Sequence, residues 1–134
     1  MQGLRELDNL RYVEVPFPTK TFVANLPQSL AKLYLQCRLP KNLNLSHLVQ
    51  LRVLCIDSVG ELDFTVFSAP VLELDTLELS EIAHLKFEKK IGTLFPKLKT
   101  LSSKLEPALN ADLRNAISKS VKIKVPFFWR IAKL

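Results

Sequence analysis

The sequence predicts an α/β-type repeat solenoid, mostly β and loop. Three observations carry that expectation. Two-step pairs, apolar at both places except for Ser103, recur along the chain: Leu10/Tyr12, Leu33/Leu35, Leu54/Ile56, Leu77/Leu79, Leu101/Ser103 and, more weakly, Val121/Ile123, with successive pairs starting 20 to 24 residues apart. A leucine stands three residues before most of them, at Leu7, Leu30, Leu51, Leu74 and Leu98. Prolines at 16, 18, 27, 40, 70 and 96 interrupt nearly every connection. Proline in a helix interior costs about 3 kcal/mol, so a helical repeat fits badly.

Each repeat reads in the same order. Along Leu48, Leu51, Leu54 and Ile56 the apolar step tightens from three to two. One helix accommodates that change poorly. A chain that loops inward and then runs as a short strand accommodates it well, with Leu54 and Ile56 on one face and Val53, Cys55 and Asp57 on the other. Eight to ten residues after the pairs come Leu43/Leu45, Leu62/Phe64 and Leu85/Phe87, which predict a short extended return segment. Near the C-terminus Leu109, Leu113 and Ile117 fall at steps of four behind Pro107, predicting a helix over about 107–118. Val121, Ile123 and Val125 then alternate with Lys122 and Lys124 as a strand. Phe127, Phe128 and Trp129 follow Pro126 and read as a lid on the last repeat; the sharper alternative is an exposed contact for a partner or a membrane surface.

Composition narrows the class. A chain of 134 residues is one domain by size, and 48% hydrophobic with 24% charged residues is a globular profile with enough apolar material for a core. No apolar run approaches the roughly 20 residues of a membrane span. The start, MQGLRELDNL, holds acids and no apolar block, unlike a secretory signal. Cys37 and Cys55 are too few for a disulfide framework and read as reduced thiols, which places the chain in the cytoplasm or nucleus. Only 3 glycines stand against 8 prolines, so turns are expected to be stiff. The first repeat begins almost at Met1 with no recognisable cap, as expected of a fragment of a longer array or a truncated product.

The segments LPQSLAKLYL (26–35), LVQLRVLCI (48–56), APVLELDTLEL (69–79) and FPKLKTLSS (95–103) carry a resemblance. The chain is similar to irregular leucine-rich-repeat proteins, especially the repeat region of fungal F-box/leucine-rich-repeat proteins, although no F-box-like segment is present. The resemblance implies a leucine-rich-repeat arc of about five to six short parallel strands with a C-terminal helix. It implies one domain over 1–134, with repeats across about 4–103 and a helix, last strand and cap in 104–134. It also implies a non-catalytic protein-interaction module that holds a protein partner on its concave sheet, as a substrate-recognition fragment of a ubiquitin-ligase receptor. The family places asparagine or cysteine three residues after the second strand leucine; here Val15, Arg38, Val59, Ile82 and Glu106 stand there.

In such a stack no repeat buries its own apolar edge, and neighbours enclose a continuous column. The expected column is Leu7, Leu10, Tyr12, Leu30, Leu33, Leu35, Leu51, Leu54, Ile56, Leu74, Leu77, Leu79, Leu98 and Leu101. The alternating residues face the other side. Arg11, Tyr34, Cys55, Glu78, Ser102 and Lys122 form the expected central column. Lys32, Val53, Thr76 and Thr100 flank it on one side, and Val13, Gln36, Asp57, Ser80 and Lys104 on the other. The candidate partner-binding residues are therefore Arg11, Lys32, Tyr34, Cys55 and Asp57, together with Glu78, Ser102, Lys104 and Lys122.

Catalysis finds little support. His47 and His84 are the only histidines, and the repeat places them on turns or the return side, away from Cys55. Cys37, Cys55, His47 and His84 lack the paired spacing of a zinc site, and Gly3, Gly60 and Gly92 form no phosphate loop. Glu73 and Asp75 read as solvated positions. No enzyme activity, cofactor or metal is expected. The competing signal is charge: the net is +6, yet residues 97–134 hold nine basic residues against Glu106 and Asp112. That basic C-terminal segment supports the alternative of nucleic-acid or anionic-lipid binding.

Overall fold

The computed structural model describes residues 9–57, 60–86, 91–105, 111, 113–115 and 120–124. Among them the chain is mostly β with few helices. Six strands, β1 (Tyr12–Val15), β2 (Lys32–Gln36), β3 (Val53–Asp57), β5 (Thr76–Ser80), β7 (Thr100–Lys104) and β8 (Lys122–Lys124), form one sheet in the order β1-β2-β3-β5-β7-β8. Every neighbouring pair is parallel. On the return side β4 (Glu61–Asp63) and β6 (His84–Lys86) pair in parallel as a second, two-stranded sheet, and Leu43 bridges Phe67.

The local chemistry at the start of β2, β3, β5 and β7 largely repeats. The chain turns inward on an N–H to carbonyl bond three residues back: Leu30 to Pro27 (3.2 Å), Leu51 to Leu48 (3.1 Å) and Leu98 to Phe95 (3.1 Å). The strand then opens on a shared acceptor. Arg11 O accepts from the N–H groups of Ala31 and Lys32 at 2.8 and 2.9 Å, and Ala31 O from Arg52 and Val53 at 2.9 and 3.1 Å. Arg52 O serves Asp75 and Thr76 at 3.0 and 3.0 Å, and Asp75 O serves Lys99 and Thr100 at 2.9 and 3.0 Å. Gly60 O repeats the device for Ala83 and His84 in the small sheet, at 3.1 and 3.0 Å.

One apolar core runs between the sheets. Leu30, Leu33, Leu35, Leu51, Leu54, Ile56, Leu74, Leu77 and Leu101 are fully buried, and Leu79 and Leu98 nearly so, as the periodicity requires. Leu43, Leu45, Leu62 and Ile82 close the core from the return side, with Phe64, Phe67 and Phe95 beneath. Phe67 meets Phe95 edge-on at 5.7 Å between ring centres. Ile82, three residues after Leu79, is buried and adds to the core there. The left-handed backbone after the strands falls on non-glycine residues, Cys37 (φ 65°) and Glu81 (φ 53°).

Several expectations need correction. Tyr12 does not join the inward column: it is 43% exposed, and Leu10 is only half-buried. Register explains why. Val13 lies beside Leu33 and Val15 beside Leu35, so β1 presents Val13 and Val15 inward, three residues later than the Leu10/Tyr12 pair suggests. Val13 therefore leaves the expected polar flank, and Val15 is a strand residue rather than a loop position. At the other end Ile123, not Val121, lies beside Leu101. Phe64 does not extend the return strand but starts a 3₁₀ turn, Phe64–Val66, capped by Asp63, whose Oδ1 accepts from Thr65 N at 2.9 Å and Thr65 Oγ1 at 2.7 Å.

Two short helices were also not anticipated. Helix α1 (Lys20–Ala24) sits between Pro18 and Pro27, capped by Thr19, whose Oγ1 accepts from Phe22 N at 3.1 Å. Helix α2 (Ile91–Leu94) precedes Phe95. Residues 111 and 113–115 are helical, inside the helix expected over 107–118, and Leu113 is fully buried. Leu7, Val59, Phe87, Glu106, Leu109, Ile117, Val125, Phe127, Phe128 and Trp129 lie outside the described residues.

Candidate functional site

The sheet face opposite the leucines is built by alternation and register alone. Tyr34, Cys55, Glu78, Ser102 and Lys124 stand side by side across five strands, with Glu14 beside Tyr34 on β1. Lys32, Val53, Thr76, Thr100 and Lys122 form the row before it, next to Tyr12. Gln36, Asp57, Ser80 and Lys104 form the row after it.

Seven candidate residues, Lys32, Tyr34, Cys55, Asp57, Glu78, Ser102 and Lys104, thus share this face in the expected rows. Two do not hold their expected places. Arg11 is not on the strand: it occupies the shared-acceptor position before β1, and its Nη1 donates to Ser29 O at 2.9 Å. Lys122 is on the face but in the row of Thr100, while Lys124 takes the central place. Tyr12, Glu14 and Lys124 are the residues sequence reasoning missed. The alternation Tyr-Val-Glu-Val at 12–15 was the available signal for the first two.

The face is cross-linked by side chains. Tyr34 OH donates to Asp57 Oδ2, one strand over. The Cys55 thiol donates to Glu78 Oε2 at 2.7 Å, again one strand over. Tyr12 OH donates to Glu14 Oε1 at 2.6 Å, and Lys32 Nζ lies 5.6 Å from the centre of the Tyr12 ring. These contacts set the acid–base character. Burial, and then the hydrogen bond to Glu78, push the Cys55 thiol up to about 12. It is held protonated, the opposite of what activates a nucleophilic cysteine. The bond to Glu14 pushes the Tyr12 phenol up to about 12, and the bond to Asp57 raises Tyr34.

Between β2 and β7 the face dips into a cavity of ≈ 170 Å³ lined by Tyr34, Cys55, Asp57, Glu78, Ser80, Ser102 and Lys104. It is small for a drug-sized ligand, whose pockets run to about 300–1,000 Å³. His84 lies on β6 and His47 in a turn, both off this face. Among the described residues no group of three or more His, Cys, Asp or Glu side chains is arranged to hold a metal ion, and no helix is long and apolar enough to cross a membrane.

The basic residues divide. Lys97 Nζ pairs with Glu73 Oε2 at 2.6 Å and Arg52 Nη1 with Glu73 Oε1 at 3.4 Å, so three neighbouring repeats are tied along the rim of the large sheet. Lys97 first, with Arg52, holds the Glu73 carboxyl below the usual carboxylate range. Arg114 Nη1 donates to Val121 O at 2.9 Å. Lys104, Lys122 and Lys124 remain exposed on the sheet face. No protein-family model matches the chain, and neither a curated protein nor a solved structure matches it.

Proposed function

We propose that the chain is a non-catalytic protein-interaction module, a leucine-rich-repeat solenoid that holds a protein partner on the polar, concave face of its six-stranded sheet. The observation that carries the reading is the in-register polar face itself. Four strands share one frame across Tyr34, Cys55, Glu78 and Ser102, backed by a spine of buried leucines. A rigid, broad surface of mixed aromatic, charged and hydroxyl groups suits protein recognition, because cross-linked side chains lose little freedom on binding. The protonated Cys55 thiol and the placement of His47 in a turn and His84 on β6, both off this face, favour binding over nucleophilic chemistry. By analogy with the family it resembles, the module serves in the cytoplasm or nucleus as a substrate-recognition piece of a ubiquitin-ligase receptor.

The test is a crosslinked pull-down from the source cell with three forms of the chain: wild type, Tyr34→Ala with Glu78→Lys on the face, and Lys41→Glu with Lys86→Glu off it. A partner captured by wild type and by the off-face variant, and lost from the face variant while its circular dichroism stays native, supports the reading. Equal capture by all three overturns it.

A further inference from the structure

The large-sheet face is electrically bipolar. Its first four strands present Glu14, Asp57 and Glu78 against the single cation Lys32. Its last two present Lys104, Lys122 and Lys124 and no acid among the described residues. The three lysines are exposed and make no salt bridge among the described residues, and the hydroxyl residues Thr100 and Ser102 stand beside Lys122 and Lys124. The acids at the other end are held in place by neutral donors, Asp57 by the Tyr34 phenol and Glu78 by the Cys55 thiol. The two ends of the face therefore carry opposite sign, and the acidic end is pre-organised.

Resting on the protein-binding reading of this face, we propose that it takes an extended partner segment that crosses the strands in one direction only. A short acidic run of the segment sits on β7 and β8 against Lys104, Lys122 and Lys124. Basic residues of the same segment sit over Glu78 and Asp57. Parallel strands lie about 5 Å apart and an extended chain rises about 3.3 Å per residue, so about three to five residues separate the acidic run from the basic one. Reversing the segment would place acid on acid and lysine on lysine, which is how charge patterns reject wrong registers.

A nucleic-acid track is the weaker occupant of the same lysines. Single strands need a basic groove that follows several phosphates. Here the positive stretch is two strands wide and ends on Glu78, and the tyrosines available for stacking are bonded to Glu14 and Asp57, which repel phosphate.

The experiment uses the whole chain and a fluorescein-labelled peptide with a run of three glutamates, a short Gly-Ser spacer and a run of three lysines. Anisotropy measures affinity. A spin label placed on either end of the peptide reports orientation through broadening of backbone amide signals. Oligothymidylate and phosphatidylserine vesicles are the competitors. Lys104→Glu, Lys122→Glu and Lys124→Glu together are expected to weaken peptide binding at least about tenfold, with the three Lys→Gln changes intermediate and Lys41→Glu with Lys86→Glu without effect. A label on the glutamate end is expected to broaden β7 and β8, and one on the lysine end β3 and β5. Unchanged affinity in the reversed variant, no orientation preference, or tighter binding of oligothymidylate or vesicles overturns the proposal. A cellular partner lost from Tyr34→Ala with Glu78→Lys but retained by the lysine reversal also overturns it, while leaving the protein-binding reading of the face standing.

Discussion

In β2, β3, β5 and β7 the inward positions are held by Leu33 and Leu35, Leu54 and Ile56, Leu77 and Leu79, and Leu101 with Ser103, all at 0–1% exposure. In β1 and β8 they are held by Val13, Val15 and Ile123, of which Val13 and Ile123 are only partly buried. A middle strand has a paired neighbour on each side, so its inward residues are enclosed by two repeats and must match both in size. Among the described residues an end strand of the sheet is paired on one side only, and β-branched residues that are less completely enclosed suffice there. Leucine spacing therefore locates the middle of the sheet, and it misleads at the ends by three residues in β1 and two in β8.

The sharpest way to break that contrast is to truncate one residue of each kind. Leu54→Ala in β3 is expected to cost about 2–5 kcal/mol in a urea melt, the usual range for a fully enclosed leucine. Val13→Ala in β1 is expected to cost about 1 kcal/mol, because only part of its side chain leaves water. Equal losses would show that the end strands are enclosed as tightly as the middle ones.

The second test is alkaline. The Cys55 thiol in the middle and the Tyr12 phenol at the end are both pushed up to about 12 from ordinary values of 9.0 and 10.0. A raised pKa favours folding while the group is protonated in both states, so this stability is complete below about pH 9 and falls as pH rises toward about 12. Cys55→Ala should flatten the lower part of that decline, since the thiol titrates first in the unfolded chain. Tyr12→Phe should change it least, because an exposed phenol is well screened. In line with this, Cys55 should react with an alkylating reagent at pH 8 more slowly in the native chain than in urea.

The third test concerns the rim. Glu73 is held below the usual carboxylate range by Lys97 and Arg52, so its contribution is present at neutral pH and is lost as pH falls through its folded pKa. Its NMR titration midpoint should rise toward the ordinary value in Lys97→Ala, and also in high salt, because the pair is exposed. The smallest effect is expected at Glu81, whose φ of 53° disfavours a side chain: Glu81→Gly should change stability by no more than about 1 kcal/mol, in the stabilising direction.

Much of the large sheet was legible in the sequence. The Leu-x-Leu figure placed β2, β3, β5 and β7, and with them Lys32, Tyr34, Cys55, Asp57, Glu78, Ser102 and Lys104 on one face. Leucine spacing misplaces Arg11, which precedes β1, and Lys122, which lies in the row of Thr100, because β1 and β8 are built on Val13, Val15 and Ile123. The alternation of Tyr12, Val13, Glu14 and Val15 was the better guide there, since a strand is recognised by period two rather than by leucine. Helices α1 and α2 escaped because five and four residues are too few to display a period of 3.6. The expected column sets Cys55 beside Glu78, yet spacing alone does not say that the thiol and the carboxylate bond, nor that Tyr34 reaches diagonally to Asp57. Those two bonds run between strands some twenty residues apart in sequence and depend on the rotamers the side chains take, which a leucine pattern does not report.

The shared acceptor at the start of β2, β3, β5 and β7 is made by main-chain carbonyls of Arg11, Ala31, Arg52 and Asp75, whose side chains are cationic, small, cationic and anionic in turn. The joint between successive units is thus indifferent to side-chain identity, while the loops that close each unit absorb differences in length. A chain joined in this way can gain or shed a whole unit in the course of its history, or exchange the polar residues on its face one by one, and leave the coupling from one strand to the next intact.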